Sequence, residues 1–151
     1  MVAIGLVVVL VAGFALAFTG VRRPFPTQSG EIAIPGLSGP VEVLRDERGV
    51  PHIFADTADD LAMAQGYVHA QDRFFEMDVR RKATSGRLAE LVGSVGVDSD
   101  KVVRTLGWRQ VAERELPMLE PRTRRLLQSY ADGVNAYLAG HQSLKIGRAH
   151  V

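Results

Sequence analysis

The sequence predicts an α+β chain, mostly helical, with one β-hairpin at about residues 41–55. Two observations carry that expectation. V-E-V-L and V-P-H-I-F-A are short apolar runs separated by D-E-R-G, a segment of turn chemistry. From Thr57 onward the apolar residues recur at spacings of three, four and seven, the period of a helix.

The elements follow in order. Met1 to Phe18 holds no charged, amide or hydroxyl side chain, whereas every charged residue lies from Arg22 onward. As a helix, such a run spans about 27 Å, close to the hydrocarbon core of a bilayer. Residues 1–21 are therefore expected to be a transmembrane anchor or a signal segment. An anchor is favoured, because no clear small-residue cleavage site follows. Arg22 and Arg23 follow the run and no basic residue precedes it; a start codon further upstream would restore a basic leader. Residues 22–40 hold Pro24, Pro26, Pro35 and Pro40 and read as an extended linker, with E-I-A-I as a short strand within it.

In the hairpin, Gly49 suits a turn position of positive φ, and Pro51 places the second strand at an edge or a strand start. The next helix runs from Thr57 to Val92 and is broken by T-S-G at 84–86. Thr57 is its N-cap, with Asp59 and Asp60 near the positive end of the dipole. Leu61, Ala64, Val68 and Phe75 mark its apolar face, and Glu76–Arg80 and Asp78–Lys82 form i,i+4 pairs. A further helix is expected from about Ser99 to Leu116. The last begins at Pro121 and carries the stripe Leu127, Tyr130, Ala131, Val134, Tyr137 and Leu138, with Gly140 as its C-cap.

Composition excludes several function classes. The chain has 151 residues, with 18 Lys+Arg against 17 Asp+Glu, for a formal charge of +1. No basic block is present, which argues against nucleic-acid binding through phosphate contacts. No cysteine is present, so a disulfide scaffold, a thiolate metal site and a thiol nucleophile are all excluded. His52, His69, His141 and His150 do not have metal-ligand spacing.

The chemistry-bearing residues read mostly as structure. His69, three residues before Asp72, has the spacing of a general base with an orienting carboxylate, but a hydrogen-bonded helix histidine is the favoured reading. His52 reads as a strand side chain. Asp98 and Asp100 lack a third ligand at loop spacing and read as helix-capping residues rather than a calcium pair. Phe74, Phe75 and Trp108 read as core. Ser85 and Ser94 match no nucleophile motif.

Four stretches together resemble one family. R-D-E-R-G-V-P-H-I-F-A-D (45–56), A-Q-G-Y-V-H-A-Q-D-R-F-F-E-M-D-V-R-R (64–81), T-S-G-R-L-A-E-L-V-G (84–93) and Y-A-D-G-V-N-A-Y-L (130–138) are similar, in order and spacing, to the start of the α chain of the penicillin acylase (penicillin amidase) family. The resemblance covers about Val41 to Gly140, and it divides the chain into residues 1–21, 22–40, the family segment 41–142, and 143–151.

The resemblance implies an N-terminal fragment of a four-layer αββα N-terminal-nucleophile hydrolase. In that family a precursor cleaves itself, and the new N-terminal serine of the β chain attacks an amide with its own α-amine as base. The implied substrates are N-acyl amides, such as β-lactam side chains and acyl-homoserine lactones. The implied partners are the remainder of the α chain, the β chain and the membrane through residues 1–21, with no nucleic acid. The implied location is membrane-anchored and extracytoplasmic, or secreted if residues 1–21 are cleaved. A structural calcium is expected of the full-length family, with no cofactor in this chain.

No catalytic, cofactor-binding or metal residue is carried over, and the chain is expected to be inactive alone. Asp46, Arg48, Gly49, His52, Gln71, Asp72 and Arg73 match family motif positions and are assigned architectural roles. The alternative is a complete small membrane-anchored helical protein with a binding role and no catalysis.

The final residues I-G-R-A-H-V are what ATC GGA AGA GCA CAC GTC encodes. That run occurs in a widely used sequencing-library adapter. Residues 143–151 are therefore expected to be a non-native tail, with no function attached to Arg148 or His150; the alternative is a genuine disordered tail.

Overall fold

The structure is a computed structural model that describes residues 29–141, together with Val11, Gly13 and Phe14. The expected anchor at 1–21 apart from those three residues, the linker residues 22–28 and the tail at 143–151 lie outside the described residues. No helix among the described residues is long and apolar enough to cross a membrane. The residues from Ile32 onward form one compact unit.

Strands β1 (Val41–Arg45) and β2 (Pro51–Ala55) pair antiparallel, with Val43 opposite Ile53. The turn closes because Gly49 takes a φ of 79°, and its N–H donates to the Asp46 carbonyl at 2.9 Å. Alternation then puts Val41, Val43 and Ile53 on one face and Leu44 and Phe54 on the other, where both are exposed. Residues 31–34 form no strand; E-I-A-I runs as irregular chain instead.

Five helices follow: α1 (Ala58–Thr84), α2 (Ala89–Val92), α3 (Val97–Leu106), α4 (Trp108–Glu115) and α5 (Pro121–Gly140). Short 3₁₀ turns occupy Gly93–Gly96 and Leu116–Met118. Thr57 caps α1 as expected, and its hydroxyl oxygen accepts from the Asp60 N–H at 3.0 Å.

The Asp60 carboxylate does more than start the helix. It accepts the Ser38 N–H at 2.8 Å, the Ser38 hydroxyl and the Thr57 hydroxyl at 2.8 Å. It thereby ties the segment before β1 to the first turn of α1. The Ser38 hydroxyl bond, followed by its N–H bond, holds the Asp60 carboxyl below the usual aspartate range. A group with a depressed folded-state pKa stabilises the fold above its unfolded value. That contribution is lost as pH falls through the folded pKa. The tie should therefore be fully present above about pH 4 and weaken in stronger acid. An NMR titration of Asp60 should give a midpoint below that of an unfolded aspartate. In Asp60→Asn, protection of the segment around Ser38 should become independent of pH in that acid range.

The core lies between α1 and α5. Ala70, Phe74, Val134, Tyr137 and Leu138 are buried together, with Tyr67, Met77 and Tyr130 packed against them. Two helical glycines set how closely the helices approach. A methyl group built on Gly133 would overlap the Met63 carbonyl oxygen and stand 2.9 Å from the Tyr67 nitrogen. One on Gly66 would overlap the Tyr130 carbonyl oxygen and stand 2.9 Å from its carbon. Backbone meets backbone at both places.

Several expectations are corrected. Helix α1 is interrupted at Arg73, whose φ and ψ of −143° and 28° are not helical. The interruption shifts the phase of the apolar face. Phe74 turns inward and Phe75 is left 71% exposed, instead of continuing the line from Ala64 and Val68. Leu61 and Leu127 are likewise exposed. Asp78 is buried and pairs with Arg81 at 2.7 Å, while Lys82 reaches Glu90 at 2.6 Å, so the Asp78–Lys82 pair does not form. Arg87 and Lys82 together pull the Glu90 carboxyl down to about 2.

The single helix expected from Ser99 to Leu116 is two helices. The second begins after Gly107, which takes a left-handed φ of 69°. The Gly107 N–H donates to the carbonyls of Val103 and Arg104, which closes α3. Gly140 is the last residue of α5 rather than its cap, which is His141.

Candidate functional site

The polar residues of the family motifs meet where the hairpin lies against α1. Arg45, at the end of β1, is the hub. Its guanidinium grips both Asp72 carboxylate oxygens, at 2.9 and 2.8 Å. It also donates to the Gln71 side-chain oxygen at 3.0 Å and to the Gly49 carbonyl at 3.0 Å. Bidentate geometry of this kind fixes orientation as well as distance. One side chain thus joins the turn of the hairpin to the middle of α1, one residue before its interruption at Arg73. Arg45 was not among the residues singled out from the sequence. Its signal was its place on the hairpin face that also carries Val41, Val43 and Ile53.

Asp46 organises the turn itself. Its carboxylate accepts the N–H groups of Arg48 at 2.9 Å and Val50 at 2.8 Å. The Val50 bond is the main cause of a carboxyl pKa below the usual range. His52 stands 3.8 Å from Asp46 on the exposed face of the hairpin. The Arg73 guanidinium is exposed, 3.7 Å from Glu76.

The possible base–carboxylate pair does not assemble. The Asp72 carboxylate is engaged by Arg45, whereas His69 points to α5, with its Nδ1 3.0 Å from the Tyr130 hydroxyl. The two rings meet edge to face, and burial pushes the Tyr130 hydroxyl up, keeping it protonated. His141 stacks on Tyr137 with ring centroids 4.2 Å apart.

The remaining candidates also resolve as structure. The Asp100 carboxylate is buried and accepts from the N–H groups of Leu88 at 2.7 Å and Ala89 at 2.9 Å. It therefore caps α2, the helix before its own. Asp98 is exposed and 3.2 Å from Lys101. The Ser85 hydroxyl donates to the Arg81 carbonyl at 2.7 Å, and Ser94 is exposed on its 3₁₀ turn. Phe74 is core, but Phe75 and Trp108 are exposed, which corrects two of the three aromatic assignments. No group of three or more His, Asp or Glu side chains among the described residues could hold a metal ion.

The chain is similar to known proteins. The penicillin amidase family model matches residues 40–147. The chain is 44% identical over 125 residues to the penicillin acylase 2 proenzyme of Pseudomonas sp. (strain SE83), covering 83% of this chain and 16% of that protein. It is 40% identical over 101 residues to the penicillin G acylase of Escherichia coli, covering 67% of this chain and 12% of that one. It is 42% identical over 113 residues to the acyl-homoserine lactone acylase QuiP of Pseudomonas aeruginosa, covering 75% and 13%. The chain thus spans no more than about a sixth of the length of these relatives. Among solved structures, the thermostable penicillin G acylase from Alcaligenes faecalis superposes with a TM-score of 0.63 at 37% identity, over 70% of this chain and 56% of that one. The α+β architecture and the ordered motifs agree with these matches, and the chain belongs to the penicillin amidase family.

Proposed function

We propose that this chain is a scaffold layer of an acylase that hydrolyses N-acyl amides through an N-terminal serine carried on polypeptide outside this chain. One observation carries the reading: the polar residues of the family motifs are committed to ties within the scaffold. Asp72 is held by Arg45, His69 meets Tyr130, and Asp46 holds the hairpin turn through the Arg48 and Val50 N–H groups. The Arg45–Asp72 pair seats the hairpin against α1, and the His69–Tyr130 contact joins α1 to α5.

The substrate class follows the relatives, whose names give penicillin and acyl-homoserine lactones. The reading also places the chain outside the cytoplasm, held by residues 1–21, with any structural calcium of the whole enzyme ligated elsewhere. The test is hydrolysis of a chromogenic phenylacetyl amide. The full chain alone should be inert. The same chain, exchanged for the 125 aligned residues of the strain SE83 proenzyme, should support maturation and turnover.

A further inference from the structure

We propose that Arg45 is a clamp that interrupts α1, so that the seating of the hairpin and the course of the helix form one coupled conformational element. The coupling stands on this chain's own contacts and does not depend on the scaffold reading above.

The residues of α1 do not account for its interruption at Arg73. Sharp breaks in helices arise at proline, at glycine or serine pairs, at an extra residue in a turn, or where a side chain competes with the backbone ladder. From Ala70 to Asp78 the chain reads A-Q-D-R-F-F-E-M-D, with no proline, glycine, serine or threonine. The Arg73 guanidinium lies 3.7 Å from Glu76, an i,i+3 pair that an unbroken helix makes equally well. The cause therefore acts on α1 from another element.

Arg45 is the group that reaches the helix at this point. Its Nη2 donates both to Gln71 Oε1 at 3.0 Å and to Asp72 Oδ1 at 2.8 Å. Consecutive residues of a regular helix point about 100° apart and do not face each other. One nitrogen that holds both side chains draws them to the same side, and the next residue, Arg73, is the one with non-helical φ and ψ. The clamp is also held from behind. Its Nη1 donates to Asp72 Oδ2 at 2.9 Å and to the Gly49 carbonyl at 3.0 Å, so the hairpin turn fixes the guanidinium while it grips the helix. The Arg45 and Asp72 side chains are 15% and 25% exposed, which limits screening by salt. A rigid, planar fork suits this task, whereas a point charge on a flexible stem does not.

Beyond the break, α1 carries Phe74 into the core beside Val134 and Tyr137, and then the buried Asp78 with its partner Arg81. The direction of that second stretch therefore depends on the hairpin being seated. Coupling of this kind is reciprocal. Whatever lifts the hairpin lets α1 run straight, and whatever straightens α1 loosens the hairpin.

The experiment uses the full chain, with the Arg73 α-carbon chemical shift and amide exchange as readouts. In the parent, the Arg73 shift should be non-helical. In Arg45→Met, which keeps the apolar stem and removes the fork, it should move to the helical value. Amides from Phe74 to Met77 should then exchange slower by about tenfold or more, while those of β1 and β2 exchange faster. Asp72→Asn should move every readout in the same direction; the two residues have similar helix propensity, so gained helicity there reports the loosened grip. A non-helical Arg73 in Arg45→Met, with the α1–α5 amides still protected, would assign the interruption to packing against α5 and overturn the clamp. Faster exchange in the strands with no change at Arg73 would overturn the coupling as well. If Arg45→Met does not fold, the Arg73 shift in Asp72→Asn decides: movement toward the helical value supports the clamp, and an unchanged value overturns it.

Discussion

Replacing Gly133 with alanine should separate α5 from α1. The added methyl would overlap the Met63 carbonyl oxygen and crowd the Tyr67 nitrogen, and both are backbone atoms that cannot rotate away. Relief requires the two helices to move apart along the whole contact. Overpacking of a tight core costs about 1–3 kcal/mol, and more where backbone is the obstacle. Set against a total stability of about 5–15 kcal/mol for a domain, that is a large share. Gly66→Ala should act in the same way through the Tyr130 carbonyl. Helix propensity works in the other direction, because alanine favours a helix over glycine by about 1 kcal/mol. Hydrogen exchange separates the two effects. Amides of α1 and α5 should lose protection in both variants if close approach dominates. Gained protection would show that the helices tolerate a wider separation.

Asp100→Ala should be the second large effect, confined to a different region. The Asp100 carboxylate is buried and satisfies the N–H groups of Leu88 and Ala89, which begin α2. Removing it leaves two amide donors without their partner. Each unsatisfied buried group costs about 1–3 kcal/mol, and capping losses fall in the same range. Helix α2 has only four residues, so it has little of its own to resist fraying. Amides from about Ser85 to Gly107 should lose protection, with the α1–α5 core unaffected. Equal loss in both regions would mean that the two are one cooperative unit. Asp100→Asn should recover part of the loss, since one amide oxygen can still accept a bond.

How much of this was legible in the sequence depends on which interaction sets each feature. The hairpin, the Thr57 cap, the Pro121 start and the inward side of α5 are local matters of turn, cap and period, and all were readable. The interruption at Arg73 was not, because nothing in A-Q-D-R-F-F breaks a helix by propensity. The uninterrupted period named Phe75 where the structure buries Phe74. The bend at Gly107 has a visible signal, a glycine inside an apolar pattern, yet the helical period of the flanking residues runs through T-L-G-W without a break.

Gly66 and Gly133 carried the same kind of signal. An internal helical glycine is costly, and the compensating close approach becomes visible only when the two helices are set together. Arg45 illustrates the limit at the candidate site. Its partners Gln71 and Asp72 lie 26 and 27 residues away, and only the antiparallel register and the seating of the hairpin bring them together. The family segment was legible because four motifs kept their order over about a hundred residues. The organisation outside it, at residues 143–151 and at 1–21 apart from Val11, Gly13 and Phe14, lies outside the described residues.

The central proposal is that this chain positions the acylase scaffold while the serine nucleophile is carried outside it. The measurement that tests it most directly is hydrolysis of a chromogenic phenylacetyl amide by the purified full chain, followed with and without substitution of His69 and Asp72. The account predicts no turnover above buffer in any of the three proteins, because Asp72 is held by Arg45 and His69 by Tyr130. Turnover by the parent chain that disappears in His69→Ala or Asp72→Asn would contradict it, and would return those two residues to the role of base and orienting carboxylate.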